Sequence, residues 1–289
     1  MSLRFKSELR LELRIRSCQA ELMPAGWRSR PAAVASGTGE GAAALNAALS
    51  ALRLADVDEL PGTASLTVAD EYLYYRLLDD ELGWAEALQE ASAGFSEDLG
   101  RDDLRVQVIP LNNGRRWIAA AVPEPDVIAW REALALAGVR LEHLHGALIE
   151  DLRLLAPQVP EDDAVIALLR EEGMSLVHLQ AGLPVALGWE RFEASDSATM
   201  EHRLRAFVRA AAVPSDTERV VYLLPESKAL CRYVWGQGQQ FGLIAAPLAG
   251  ARRADADAPG SGQIGAEATI LGTSSMANAD ASGSLRSAA

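Results

Sequence analysis

His143 and His145 are the first residues whose types and spacing suggest chemistry. Two imidazoles two positions apart on a strand share one face, which is the arrangement of a metal-binding pair. No cysteine or acidic cluster lies nearby at ligand spacing, so the pair reads as a solvated strand edge and no metal site is expected. Gly37, Gly39 and Gly41 precede a helical pattern. A glycine-rich loop before a helix can cradle phosphate. This one lacks the Lys-Ser/Thr pair of a P-loop and reads as a flexible loop. Gly236, Gly238 and Gly242 have the wrong spacing for a dinucleotide fingerprint. His178 alternates with apolar neighbours and reads as a satisfied strand residue. Lys6 and Lys228 are the only lysines, so a lysine nucleophile is hard to place. No Ser-His-Asp or Cys-His arrangement is visible, and no catalytic residue is expected.

The chain of 289 residues is 49% hydrophobic and 23% charged, which suits a globular α/β protein. Its net charge of -13 argues against nucleic acid, because a nucleic-acid binder needs a dense basic face. Cys18 and Cys231 cannot build a disulfide framework, and Cys18 reads as a small core residue. No apolar run reaches the roughly 18 residues of a membrane span, and the charged N-terminus has no apolar signal core.

The elements follow from periodicity. Leu3, Phe5, Leu9, Leu11, Leu13 and Ile15 alternate with charged residues, so the chain opens on a strand with one apolar face. Ala20 and Leu22 extend the pattern into a second strand. Helices are expected over about 42–54, 82–95, 127–137 and 198–211, and strands at 65–69, 72–78, 104–109, 116–122, 139–144, 164–169, 174–179, 184–189, 219–224 and 230–235. Past residue 251 the composition falls to Ala, Gly, Ser and Asp, which reads as a disordered tail.

Two halves therefore repeat one order: closely spaced strands, a helix, a further strand. Together with the stretch Ser65–Leu78, the run Trp117–Pro123 and the strand at 139–144, this order resembles the actin-like ATPase family, in particular the pilus-assembly protein PilM and the cytoplasmic domain of the type II secretion protein GspL. The resemblance implies an α/β fold of two actin-like (ribonuclease H-like) halves. The first half, 1–156, would contain an α/β insert at about 71–145. A shortened second half would span 157–250, and the tail 251–289.

It also implies a magnesium-nucleotide cleft between the halves, with a strand-turn-strand loop from each. The matching turns depart from that pattern. The first, within Leu13–Cys18, has neither Asp nor Gly, and Ser17 is its hydroxyl. The second places Leu168 at the Asp position and Arg170 at the Gly position, followed by Glu171 and Glu172. No cofactor is expected, and the fold is read as a pseudo-ATPase. The implied function is a cytoplasmic, non-catalytic scaffold, peripheral at a bacterial inner membrane. It would hold a pilus or secretion assembly protein by a short cytoplasmic segment and touch the membrane only through that partner. Homo-oligomerisation stays open. Tyr72, Tyr74, Tyr75 and Trp117 are the expected partner-binding residues. The alternatives are an actin-like ATPase that still binds Mg-nucleotide, and an anion or small-ligand module using Arg14, Arg16 and Arg170.

Overall fold

The alternating N-terminal segment becomes the centre of a sheet. In strand β1 (Glu8–Leu13), Leu9, Leu11 and Leu13 are buried while Glu8, Arg10 and Glu12 face the other way. The computed structural model describes residues 7–225, apart from 26–29, 56–58, 79–80, 112–115, 160–161, 171, 192–196 and 211–219. β2 (Ser17–Met23) pairs antiparallel with β1, and β3 (Ala33–Thr38) antiparallel with β2. β4 (Thr63–Val68) joins β1 in parallel, and β8 (Arg140–Gly146) joins β4 in parallel, giving the order β3-β2-β1-β4-β8. Helices α1 (Ala42–Leu54) and α3 (Glu124–Leu136) bury their apolar stripes on one face of this sheet, through Leu45, Leu49, Leu52, Val127, Trp130 and Leu134.

The glycines at 37, 39 and 41 are not a flexible loop. Gly37 lies within β3, and a side chain there would fall on the backbone nitrogen of Ala48 in α1. Gly39 and Gly41 turn the chain into that helix with φ of 139° and 50°, a region that favours glycine. These residues let the helix pack closely on the strand.

After β4, a 3₁₀ turn at Asp70–Tyr72 leads into a separate three-stranded sheet. It comprises β5 (Tyr74–Leu78), β6 (Leu104–Leu111) and β7 (Arg116–Pro123) in the order β5-β7-β6, backed by α2 (Trp84–Leu99). α3 and β8 then return the chain to the first sheet, so 124–146 belongs with that sheet and not with the expected insert of 71–145. The central strand β7 explains how the insert is held. Its odd residues Trp117, Ala119 and Ala121 pack on α2. Its even residues face the rest of the molecule: Ile118 enters the core shared with the second half, and Val122 enters the first core. Ala120, between them, lines an open groove.

Beyond α4 (Ala147–Leu155) comes the second sheet. It contains β9 (Asp163–Leu169), β10 (Gly173–Gln180), β11 (Leu183–Arg191) and β12 (Val220–Pro225), ordered β11-β10-β9-β12 with β12 parallel to β9. β9 and β10 are buried on both faces, by α4 and Ile118 on one side and by α5 (Ser197–Ala210) on the other. The strand expected at 230–235 and the tail at 251–289 lie outside the described residues. Among the described residues no helix is long and apolar enough to cross a membrane.

A self-paired cleft and an open groove

The hairpin turns of the two sheets meet across a cleft. In the first, the Arg14 N–H donates to the Ser17 carbonyl at 2.8 Å; in the second, the Arg170 N–H donates to the Gly173 carbonyl at 2.8 Å. Between the turns, Arg16 Nη2 donates to Glu172 Oε1 at 2.9 Å. The other carboxylate oxygen of Glu172 receives Arg191 at 3.0 Å. This outer bridge is largely exposed on the arginine side.

Beneath it lies a buried network. Arg170, only 6% exposed, donates from Nε to Asp70 Oδ2 at 3.0 Å and from Nη2 to Asp151 Oδ2 at 2.6 Å. Asp70 Oδ2 also accepts from the Ser175 hydroxyl at 2.5 Å. Asp70 Oδ1 accepts from the Leu148 N–H at 2.8 Å and from the Tyr75 hydroxyl at 3.1 Å. One buried carboxylate thus takes donors from the second sheet, the insert and the first turn of α4. A buried carboxylate needs both a counter-charge and filled lone pairs, and Asp70 has them.

Burial raises the pKa of several neighbours. The Tyr75 phenol is pushed well above its usual value by burial and then by the Asp70 charge. Burial raises the Asp151 carboxyl, with Arg170 working the other way. Glu71 is also raised, chiefly by burial and further by Asp70, while the backbone N–H of Glu172 and the charge of Arg170 oppose the rise. Both Glu71 carboxylate oxygens are buried without a hydrogen bond of proper geometry.

Each arginine named from sequence has a carboxylate partner. Arg14 binds Glu12 through Nε and Nη2 at 3.1 and 2.8 Å, Arg16 binds Glu172, and Arg170 is held as above. The aromatic residues named for partner binding lie in different surroundings. Trp117 is 6% exposed in the core of the insert, with its indole N–H on the Leu82 carbonyl at 3.1 Å. The alternation of β7 sends it towards α2. Tyr72 packs edge-on against Trp130 at 5.5 Å, and its hydroxyl lies 3.4 Å from the carbonyls of Arg14 and Ile15. Tyr75 is spent on Asp70. Tyr74 is the most exposed of the four, at 39%. It lines a cavity of about 330 Å³ with Phe95 and Trp189, between the insert and the second sheet.

His143 and His145 have ring centres 5.9 Å apart, and His145 Nδ1 lies 3.4 Å from Glu150. Among the described residues no group of three metal-ligating side chains forms. His178 is buried with Nε2 2.7 Å from Asp163 Oδ1, as a satisfied strand histidine should be.

An open concavity lies elsewhere. A groove of about 550 Å³ separates β8, the outer strand of the first sheet, from β6, the outer strand of the insert. Leu73, Val106, Ile109, Leu141, Leu144 and Ile149 line it together with Arg105, Gln107, Arg131, Glu142, His143 and His145, so its surface is mixed, and Ala120 lies on the insert side. Sequence reasoning missed Asp70, Asp151 and Ser175 as well as these lining residues. Asp70 did leave one signal: an acid at the C-terminal end of a parallel strand, where α/β folds gather polar sites.

No protein-family model and no curated protein matches the chain. Solved structures do. The PilM-PilN type IV pilus biogenesis complex is similar over 82% of this chain and 86% of its own, at 17% identity and a TM-score of 0.57. A Bacteroides thetaiotaomicron protein with an actin-like ATPase fold and unknown function is similar over 83% and 90%, at 8% identity and a TM-score of 0.57. The cytoplasmic domain of EpsL, an inner-membrane component of the Vibrio cholerae type II secretion system, is similar over 81% and 95%, at 12% identity and a TM-score of 0.46. The chain has the actin-like ATPase fold, as its sequence resemblance implied.

Proposed function

We propose that this chain is a non-catalytic cytoplasmic scaffold of a bacterial type IV pilus or type II secretion-like assembly. It sits peripherally at the inner membrane, held by a membrane partner whose short cytoplasmic segment lies in the groove between β8 and β6. The observation that carries this reading is that the charges of the cleft pair with one another while the groove stays open. An extended amphipathic segment fits there, because two sheet edges border the space and leucine, isoleucine and valine line it beside Arg105, Arg131, Glu142 and the two histidines.

The donor set of the cleft does not fit magnesium and a nucleotide. Magnesium takes carboxylate and water oxygens, yet Asp70 already holds a guanidinium and Asp151 shares it. Phosphate oxygens need free backbone amides and positive charge. Here the turn amides of Arg14 and Arg170 are engaged across their hairpins, and Glu172 faces the first turn. An anion at Arg14, Arg16 or Arg170 would have to displace a carboxylate from each. These points weigh against the ATPase and anion-module alternatives.

Two titrations test the reading. Calorimetry with Mg-ATP and Mg-ADP should give no binding heat up to millimolar nucleotide. Saturable micromolar binding would instead make the chain an actin-like ATPase. A peptide copying the cytoplasmic N-terminal segment of a single-span inner-membrane assembly protein from the same machine should bind saturably, and absence of binding would remove the scaffold.

A further inference from the structure

Asp70 lies outside the groove but bonds residues that adjoin both of its walls. Through Oδ1 it receives the Leu148 N–H, two residues past Gly146, the last residue of β8, and next to Ile149, which lines the groove. Through the same oxygen it receives the hydroxyl of Tyr75 in β5, which places the insert. Tyr75 in turn packs on Gly146, where a side chain would fall on its hydroxyl. Leu73, between Asp70 and Tyr75 in the chain, itself lines the groove. The counter-charge to buried Asp70 comes from Arg170, at the end of β9 in the other half.

We infer that Arg170 is the positioning residue of the groove: by neutralising Asp70 it fixes the β8–α4 wall against the insert wall, so the second half sets the groove's shape. Its functional meaning rests on the scaffold reading, whereas the geometry does not. Asp151, the other partner of Arg170, belongs to α4, so Arg170 holds α4 once directly and once through Asp70 and the Leu148 N–H. Ser175 of β10 completes the set from the second sheet. A groove set this way is preformed and rigid only while the two halves stay docked.

Hydrogen–deuterium exchange on the full chain tests this. Arg170→Ala should accelerate exchange by an order of magnitude or more in 70–78 and in 146–152. Helix α1, in the first core, should keep its wild-type protection. Methylguanidinium at tens of millimolar should restore both segments, and Arg170→Lys should restore them in part. Acceleration spread evenly over the chain, α1 included, would make Arg170 a mere contributor to global stability and overturn the inference. Acceleration confined to 163–180, or no recovery with methylguanidinium, would overturn it equally. Should Arg170→Ala fail to fold, Arg170→Lys carries the test: exchange should rise in 70–78 and in 146–152 with α1 unchanged, and no rise would overturn the inference. Peptide binding with unchanged exchange would remove only the positioning role. Accelerated exchange in a chain that binds no peptide would remove only the scaffold.

Discussion

Charged residues in the cleft act through pairing, and Glu71 is the exception that can be measured. Its carboxylate is buried without a proper hydrogen bond beside Asp70, and its pKa lies above the ordinary 4.5. Between the ordinary and the raised value the folded state therefore holds a proton that the unfolded state releases. Stability must fall as pH rises through that window, since the state binding more protons is favoured by acid. Glu71→Gln removes this titration. The variant should gain stability relative to wild type as pH rises above the ordinary 4.5, and urea unfolding at several pH values would read the changing gap. A gap independent of pH would mean that Glu71 titrates as it does in the unfolded chain. Cys18 is the opposite kind of buried group. Burial pushes its thiol up to about 12, with Glu12 adding to the effect, so it is an inert core residue as its strand pattern suggested.

Element-scale constraints concentrate where helix meets strand. Gly37 lets α1 approach β3 so closely that a methyl group there meets the backbone of Ala48. A helix backbone cannot yield as a side-chain tip can. Gly37→Ala should therefore cost about 1–3 kcal/mol or more through overpacking, read as a lowered denaturation midpoint. The same substitution at Gly62, where a Cβ meets nothing within 4 Å, is the control. Most helices and strands were legible in the sequence because each buries one regular face. The stripe Leu45, Leu49, Leu52 and the alternation Leu9, Leu11, Leu13 are such faces. β3 was not legible, because a glycine-bearing edge strand whose residues are mostly small has little apolar period to show. Trp84 is a milder case. It follows the helical period, yet it stands at the first turn of α2, 60% exposed, while Ala87, Ala91 and Phe95 make the buried face.

At the scale of the whole molecule, the groove exists because the insert is held at two points. Ile118 anchors it in the core of the second half and Val122 in the core of the first, with Ala120 between them. Filling that gap should block a partner without disturbing either anchor. Ala120→Trp is expected to abolish peptide binding by steric occupation while the melting temperature stays near wild type. Isothermal titration and calorimetric melting together check this. Retained binding would move the partner to another surface, with the Tyr74–Trp189 cavity next in line.

The sequence alone determined the α/β class, the repeated order of strands and helices, and the residue types of the two cleft turns. These are local properties, written in periodicity and in residue types at turns, so they survive without knowledge of what packs where. Tertiary structure decided the rest. Asp70 and Arg170 are 100 positions apart, and only the docking of the two sheets makes them a pair. Trp117 and Tyr74 look alike as aromatic strand residues, yet one faces α2 and the other solvent, because the side a strand buries depends on its neighbours. The groove belongs to two strands, β6 and β8, that never pair with each other. A space between elements leaves no period in either one, so its lining could be read only once both were in place.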